Sequence, residues 1–125
     1  MQLLLDTHAL IWWLANNPTL SNKAKDAIAN PDNIIFVSAA SAWEIAIKNS
    51  IGKLQTPNDL AMQIEAKGFV PLSIDLHHAL TVESLPQHHQ DPFDRILIAQ
   101  AIYEHLTIIT RDRKFNVYEI DLIKC

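Results

Sequence analysis

Four acidic residues of this sequence lie just past a segment typical of a buried strand or close to the start of a helix. They are Asp6, Glu44, Asp94 and Asp112. Ligands of open parallel sheets bind in the crevice outside the carboxyl ends of the strands, where such side chains can converge. Four carboxylates in one crevice would repel each other unless a cation compensates their charge. Mg²⁺ prefers oxygen ligands of this kind and is often held by a few carboxylates together with phosphate. The pattern therefore indicates a divalent-cation site.

Each acid also has a purely structural interpretation. Asp6 is a suitable N-cap for the helix that follows it. The segment from Ser41 to Glu44 matches a capping box, in which the glutamate supports a helix start. In the segment from Asp91 to Asp94, Asp91 is expected to cap a helix and Asp94 to interact favourably with the helix dipole. Asp112 could belong to a turn and pair with Arg113. Any one acid is weak evidence of a site, whereas four together are stronger.

The elements that would position these acids alternate between strands and helices. Apolar, β-branched runs predict strands at 2–5, 34–37, 69–74 and 107–110, with a short fifth element at 117–120, at an edge of the sheet. Periodicity and capping residues predict helices at 7–16, 22–29, 39–50, 56–68, 75–85 and 93–105. Strands separated by helices imply right-handed crossovers and a parallel sheet covered on both faces. The prediction is one α/β domain over residues 1–125, a three-layer α/β/α sandwich with a mainly parallel sheet of four to five strands.

Composition sets limits on the class of protein. The chain has 125 residues, 49% of them apolar, and its longest apolar run (9–15) is far shorter than a membrane helix requires. We expect no signal peptide, and the single cysteine, Cys125, fits a reducing cytoplasm. The net charge of −4 argues against nucleic-acid binding. If four of the 14 acids hold a cation, however, the remaining ten balance the 10 bases.

Four ordered segments carry a resemblance to a known family. They are Leu4 to His8, Ser38 to Ile45, Asp91 to Ala101 and Ile109 to Phe115. In order and spacing this set resembles PIN domains, and in particular the VapC-type toxins of the PilT N-terminal class. The resemblance extends over the whole chain and implies a Mg²⁺- or Mn²⁺-dependent ribonuclease, the toxin of a type II toxin–antitoxin pair. It also implies a homodimer that is inhibited by a small antitoxin protein encoded beside it.

The resemblance implies that the catalytic and metal-binding residues are the same four acids. The reaction would be hydrolysis of an RNA phosphodiester by water that one or two metal ions activate. We assign metal contacts to Asp6, Asp94 and Asp112, whereas Glu44 would act through a metal-bound water or help to activate it.

Neighbouring polar and basic residues are candidates for supporting roles. Thr7, Ser38 and Thr110 could orient the acids by hydrogen bonds. Arg95, Arg111 and Arg113 are candidates for binding substrate phosphates, although ordinary surface roles fit them equally well. The six histidines show no structural-zinc spacing, and only His88 and His89, in a polar loop, are candidates for the substrate path.

Two other functions are compatible with a cluster of acids. A receiver-like signalling module binds Mg²⁺ and accepts a phosphoryl group on an aspartate, but it needs an acidic pair after the first strand, where this chain has only Asp6. A catalytically idle PIN-like binding domain would not need four acids. Formation of a stable aspartyl phosphate from a small phosphodonor would favour the signalling module.

Overall fold

The fold is built on a parallel sheet of five strands in the order β3-β2-β1-β4-β5. This computed structural model describes residues 1–52, 59–87, 91–118 and 120–125. The strands are β1 (Gln2–Leu5), β2 (Ile34–Ser38), β3 (Val70–Leu72), β4 (Thr107–Thr110) and β5 (Leu122–Lys124). Each neighbouring pair is parallel. The first strand is therefore central, and its carboxyl end is flanked by those of β2 and β4.

Helices connect the strands and cover both faces of the sheet. They are α1 (Thr7–Leu14), α2 (Asn22–Ala29), α3 (Ala39–Ser50), α4 (Leu60–Ala66), α5 (Leu76–Thr81) and α6 (Pro92–Glu104), with 3₁₀ turns at Val82–Ser84 and Arg113–Val117. Ser21 caps α2 as expected, since its hydroxyl accepts a hydrogen bond from the N–H of Ala24 at 3.1 Å. The predicted start of a helix at residues 56 and 57 lies outside the described residues. Asp59 is the N-cap of α4.

Alternation along β1 sends its side chains into two separate cores. Leu3 and Leu5 belong to a cluster with residues of α1 and α2, whereas Leu4 joins Leu97 and Ile108 on the other side. All three leucines are fully buried. Successive side chains of a strand point to opposite faces, so a strand that is apolar throughout must be covered on both. The predicted three-layer α/β/α architecture is confirmed.

The prediction of a fifth strand at 117–120 is wrong. A 3₁₀ turn occupies Arg113–Val117, and the edge strand β5 lies at Leu122–Lys124, where Leu122 is in register with Ile108. Phe115 is fully buried beneath this turn, and the hydroxyl of Tyr118 donates to the carbonyl of Pro86 at 2.9 Å. These contacts hold the apolar residues of the segment in the core without strand pairing, and the sequence pattern does not reveal them.

Among the residues that the structure describes, every helix is too short or too polar to cross a bilayer.

Candidate active site

Asp6 lies at the centre of the site because it directly follows the central strand. Its N–H donates to the carbonyl of Ile109 at 3.1 Å, which extends the pairing of β1 with β4. Its Oδ1 accepts a hydrogen bond from the N–H of Ala9 at 2.7 Å and so caps α1. The structural interpretation of Asp6 is therefore correct. It does not exclude a metal role, because an ionised carboxylate has about four acceptor positions.

Glu44 is the acid whose structural interpretation is wrong. The N-cap of α3 is Ser38, whose hydroxyl accepts a hydrogen bond from the N–H of Ala40 at 3.0 Å. Ser41 is consequently a residue inside the helix, and Glu44 lies more than a turn beyond the N-cap. A capping box at these two positions does not exist. The glutamate is nonetheless buried, with 7% of its surface exposed.

Both carboxylate oxygens of Glu44 accept hydrogen bonds. The hydroxyl of Thr7 donates to Oε1 at 2.7 Å, and Nζ of Lys48 donates to Oε2 at 2.7 Å. The hydroxyl oxygen of Ser41 lies 3.1 Å from that of Thr7. Thr7 thus links α1 to α3, and Glu44 is fixed in one orientation by donors from two helices.

Asp94 is positioned by the start of α6. As expected, Asp91 caps this helix, because its Oδ1 accepts hydrogen bonds from the N–H groups of Phe93 (2.8 Å) and Asp94 (3.2 Å). Pro92 occupies the first turn, where its missing N–H has no consequence. This arrangement places Asp94 in the first turn of α6, at the mouth of the sheet.

Asp112 follows β4 and begins the 3₁₀ turn. Its N–H donates to the hydroxyl of Thr110 at 3.1 Å, and its Oδ1 accepts from the N–H of Lys114 at 2.9 Å. Thr110 also hydrogen-bonds to Asp6 through its side chain. One threonine therefore connects the ends of β1 and β4.

The four acids open onto a common pocket of about 300 Å³. The described residues that line it are Asp6, Thr7, His8, Glu44, Lys48, Asp91, Asp94, Asp112 and Lys114. The structure thus brings together all four acids that the sequence singled out, and Asp91 lies at the edge of the same pocket. Five acids face two lysines there, so the pocket carries an excess of negative charge.

Burial and neighbouring charge change the ionisation of two acids in the pocket. Burial, followed by the neighbouring carboxylates of Asp91 and Glu44, raises the pKa of Asp94 to about 7. Burial also raises the pKa of Asp6, although the Thr110 hydroxyl and the Ala9 N–H oppose the shift. A bound cation would relieve both effects. The donor set consists of carboxylate oxygens, which suits a hard divalent ion.

The residues proposed to orient the acids do so in different ways. Thr7 hydrogen-bonds directly to Glu44, and Thr110 hydrogen-bonds directly to Asp6. Ser38 acts indirectly, because its hydroxyl caps α3, the helix that carries Glu44.

The arginines proposed to bind substrate phosphates do not face the pocket. Arg95 is 8% exposed, and its guanidinium donates to the carbonyls of Pro86 and Val82 at 3.1 Å each. Arg111 donates to the carbonyl of Cys125 at 2.9 Å through Nε and also to that of Thr19. These guanidinium groups support the backbone, which agrees with the structural alternative stated for them from the sequence.

Arg111 and Arg113 differ in their surroundings. The guanidinium of Arg111 also lies 4.7 Å from the ring centroid of Trp12. Arg113 is exposed and is not among the described residues that line the pocket. Lys48 and Lys114 were missed as site residues. A usable signal was available, because Lys48 is one helical turn beyond Glu44 and Lys114 is two residues beyond Asp112.

A second group of metal-ligand types lies elsewhere, between α5 and α6. Ligand atoms of Asp75, His78 and Glu104 lie within 4.8 Å of one another. Nδ1 of His78 accepts from the N–H of Asp75 at 3.1 Å, and Nε2 lies 3.0 Å from Oε1 of Glu104. The two carboxylates thus stand on opposite sides of one ring, whose nitrogens are both engaged. Through these hydrogen bonds the group joins α5 to α6.

Residues 3–120 match the family model described as PIN domain, and the chain belongs to that family. Within the family it is of the VapC type. It is 33% identical over 121 residues to Ribonuclease VapC22 of Mycobacterium tuberculosis (strain ATCC 25618 / H37Rv), covering 90% of this chain and 88% of the relative. Ribonuclease VapC16 of the same strain is 39% identical over 61 residues, 46% of this chain and 43% of that protein. The resemblance stated from the sequence motifs is confirmed.

Solved structures share the fold over nearly the whole chain. The crystal structure of VapBC2 from Rickettsia felis, bound to a DNA fragment from its promoter, has a TM-score of 0.73 at 16% identity and covers 99% of this chain and 98% of that one. The structure of VapBC-1 from nontypeable Haemophilus influenzae has a TM-score of 0.69 at 18% identity, with the same coverage. At these identities the likeness confirms the PIN-like fold.

Proposed function

We propose that this chain is a metal-dependent ribonuclease that hydrolyses RNA phosphodiester bonds at the acid pocket. One observation carries the proposal: four carboxylates from β1, α3, α6 and the segment after β4 converge on a single pocket. Burial, together with the neighbouring carboxylates, raises the pKa of Asp94 to about 7. Membership of the VapC-type PIN family, with a relative named as a ribonuclease, supports the same activity.

The metal would be Mg²⁺ or Mn²⁺, held by Asp6, Asp94 and Asp112. When bound, such an ion lowers the pKa of water and neutralises charge that develops on the phosphate. Asp6 is fixed by Thr110 and by its own capping bond, and Asp94 is fixed by the start of α6. The site therefore offers prearranged carboxylate oxygens, and ordering them costs little at the moment of binding.

Glu44 would act on water and not directly on the metal. Thr7 and Lys48 each donate to one of its oxygens, so both are partly used. An oriented carboxylate at the wall of the pocket is suited to accept a hydrogen bond from the attacking water and then its proton.

We further propose that the chain is the toxin of a toxin–antitoxin pair and that an antitoxin protein inhibits it. Support comes from the similar solved structures, which are VapBC assemblies from several bacteria. A homodimer, a cytoplasmic location and a single domain over residues 1–125 belong to the same proposal. The receiver-like and idle-domain alternatives are not favoured by the family match or by the charge held in the pocket.

The test is cleavage of labelled single-stranded RNA by purified protein in Mg²⁺, in Mn²⁺ and in chelator. We expect cleavage only with metal, and its loss in Asp94→Asn. Asp26→Asn, an exposed change on α2, serves as the matched control because it makes the same chemical substitution outside the pocket. Cleavage that continues in chelator, or that survives in Asp94→Asn, would refute the mechanism.

A further inference from the structure

The walls of the acid pocket carry two basic side chains to which no substrate contact has yet been assigned. Among the described residues that line it, the lysines are Lys48 and Lys114. The arginines proposed from the sequence are engaged or lie elsewhere: Arg95 and Arg111 bind backbone carbonyls. A pocket with this many carboxylates repels a polyanion, so phosphate must be attracted by cations at its walls.

Lys48 stands on α3, one turn beyond Glu44. Its Nζ donates to Oε2 of Glu44 at 2.7 Å, and 41% of its side chain remains exposed. An ammonium has three N–H donors, and this bond uses one of them. Lys48 is therefore held at the wall by Glu44 while retaining the capacity to bind an anion from solvent.

Lys114 stands on the 3₁₀ turn beyond β4. Its backbone N–H donates to Oδ1 of Asp112 at 2.9 Å, which fixes the residue directly beside that acid. The side chain is exposed. The neighbouring Arg113 belongs to the same turn but is not among the described residues of the pocket wall. Of these two adjacent basic residues, Lys114 therefore lines the acid pocket and Arg113 does not.

The sheet order places the elements that carry the two lysines on either side of β1, the strand that Asp6 follows. α3 follows β2, the 3₁₀ turn follows β4, and β1 lies between those strands. Neighbouring strands are about 4.8 Å apart, so the elements that carry the lysines begin about 10 Å apart. The acids and both lysines line one pocket.

We propose that Lys48 and Lys114 form a phosphate clamp, in which each lysine binds an RNA phosphate on one side of the scissile phosphate. The RNA backbone then crosses the carboxyl end of the sheet from β2 over β1 to β4, and the scissile phosphate lies above Asp6. This inference rests on the proposed ribonuclease function and specifies which residues hold its substrate. Binding is through the backbone, so the clamp is indifferent to base sequence.

The experiment compares Lys48→Met, Lys114→Met and Arg113→Met in the full chain. The probe is a labelled 30-nucleotide single-stranded RNA of random sequence, with Ca²⁺ in place of Mg²⁺ to compensate the acids while slowing cleavage. Binding is measured between 50 and 200 mM KCl. Each lost phosphate contact should reduce the slope of log affinity against log salt by about 0.7. Between 50 and 200 mM KCl, the factor by which affinity drops should then be about 2.5 times smaller for each lysine variant than for the wild type.

Arg113→Met is expected to retain the wild-type slope, apart from a small change in long-range attraction. Lys48→Arg keeps the charge and should restore the slope, which separates loss of the cation from damage to the fold. An unchanged slope in Lys114→Met, or an equal loss in Arg113→Met, overturns the clamp. If Lys48→Met keeps the wild-type dependence of affinity on salt but cleaves RNA more slowly, Lys48 is not part of the clamp. Its role would then be to hold Glu44.

Failure of the proposed function gives a different result. In that case the wild type does not cleave RNA in Mg²⁺ or Mn²⁺, whatever the salt dependence of the variants. Failure of the clamp leaves metal-dependent cleavage intact while the three methionine variants bind RNA alike.

Discussion

The fold shifts the pKa of acids in opposite directions in two regions of this protein. Between α5 and α6, Asp75 and Glu104 stand on either side of His78, and the hydrogen bond from the N–H of His78 lowers the pKa of Asp75. In the acid pocket, burial and like charges raise the pKa of Asp94. Folding stabilises the carboxylate in the first group and destabilises it in the second. A downward shift marks an acid that the fold has already satisfied, whereas an upward shift marks one that requires something from outside.

The largest expected difference between the two groups is in RNA cleavage. Asp94→Asn should reduce the cleavage rate by at least about 100-fold, since loss of a ligand should cost no less than loss of a residue that supports one. Glu104→Gln, which alters the other group, should leave the rate within experimental error. Initial rates with labelled RNA in Mn²⁺ measure both. Equal losses in the two variants would mean that the acids act through general stability and not through a site.

For stability, the larger loss is expected in the group around His78 and not in the acid pocket. His78 is 1% exposed and is hydrogen-bonded through both ring nitrogens. His78→Ala should therefore lower the free energy of unfolding by about 2–4 kcal/mol, from the cavity and the unpaired partners that it leaves. Urea denaturation provides the measurement. The adjacent exposed His77, changed to alanine, is the matched control and should lose much less.

The two groups should respond in opposite directions to the same substitution. Asp94 keeps a proton in the folded state up to a pH of about 7, whereas the unfolded chain releases it near the ordinary value of 3.8. The stability that this proton supplies is complete below pH 3.8 and declines as the pH rises through 7. At pH 8 the metal-free wild type has lost it, so Asp94→Asn should stabilise that form. After discounting for solvent screening we expect about 1–2 kcal/mol.

Asp75→Asn should have the opposite sign and the smallest effect. The lowered pKa of Asp75 supplies stability that is present above pH 3.8 and is lost as the pH falls through the lowered value. Asparagine is also a good N-cap, so the loss at neutral pH should be slight. In thermal melts at pH 8 in chelator, Asp94→Asn should therefore have a higher Tm than the wild type and Asp75→Asn a slightly lower one. Shifts of the same sign would contradict the contrast.

Binding of metal should follow the ionisation of the pocket. Because the pKa of Asp94 is about 7 in the metal-free protein, a cation must displace its proton at lower pH. The Mg²⁺ affinity should thus fall about tenfold for each pH unit below 7. Calorimetric titrations at pH 6 and pH 8, in buffers with different ionisation enthalpies, measure the affinity and the released protons. An affinity independent of pH would show that Asp94 does not contact the ion.

The four acids could be found from the sequence because each has a fixed relation to the end of a strand or the start of a helix. Asp6 and Asp112 follow β1 and β4, and the parallel arrangement brings those ends together. Local patterns failed where a side chain had more than one partner available. Ser41 looked like a helix cap, but the chain enters α3 at Ser38. Which start is used depends on β2, whose pairing with β3 extends the strand to Ser38.

Basic residues were the least predictable part of the site. Arg95 and Arg111 are close in sequence to the acids, yet their guanidinium groups serve carbonyls that belong to distant segments. A long side chain can reach in several directions, and only the packed fold decides among them. Proximity to a catalytic motif along the chain is therefore a poor guide to the role of an arginine.

The contacts of Arg111 also bear on whether strands of other chains can pair with the edges of this sheet. The edge strand β5 is tied at its end, where Arg111 holds the carbonyl of Cys125 and Ser21 donates to that of Lys124 at 3.0 Å. A foreign strand would need such acceptors to pair with this edge. The opposite edge strand, β3, contains Pro71, which has no N–H to offer. Both edges of the sheet therefore carry features that disfavour pairing with a further strand, and such features guard a fold against edge-to-edge aggregation.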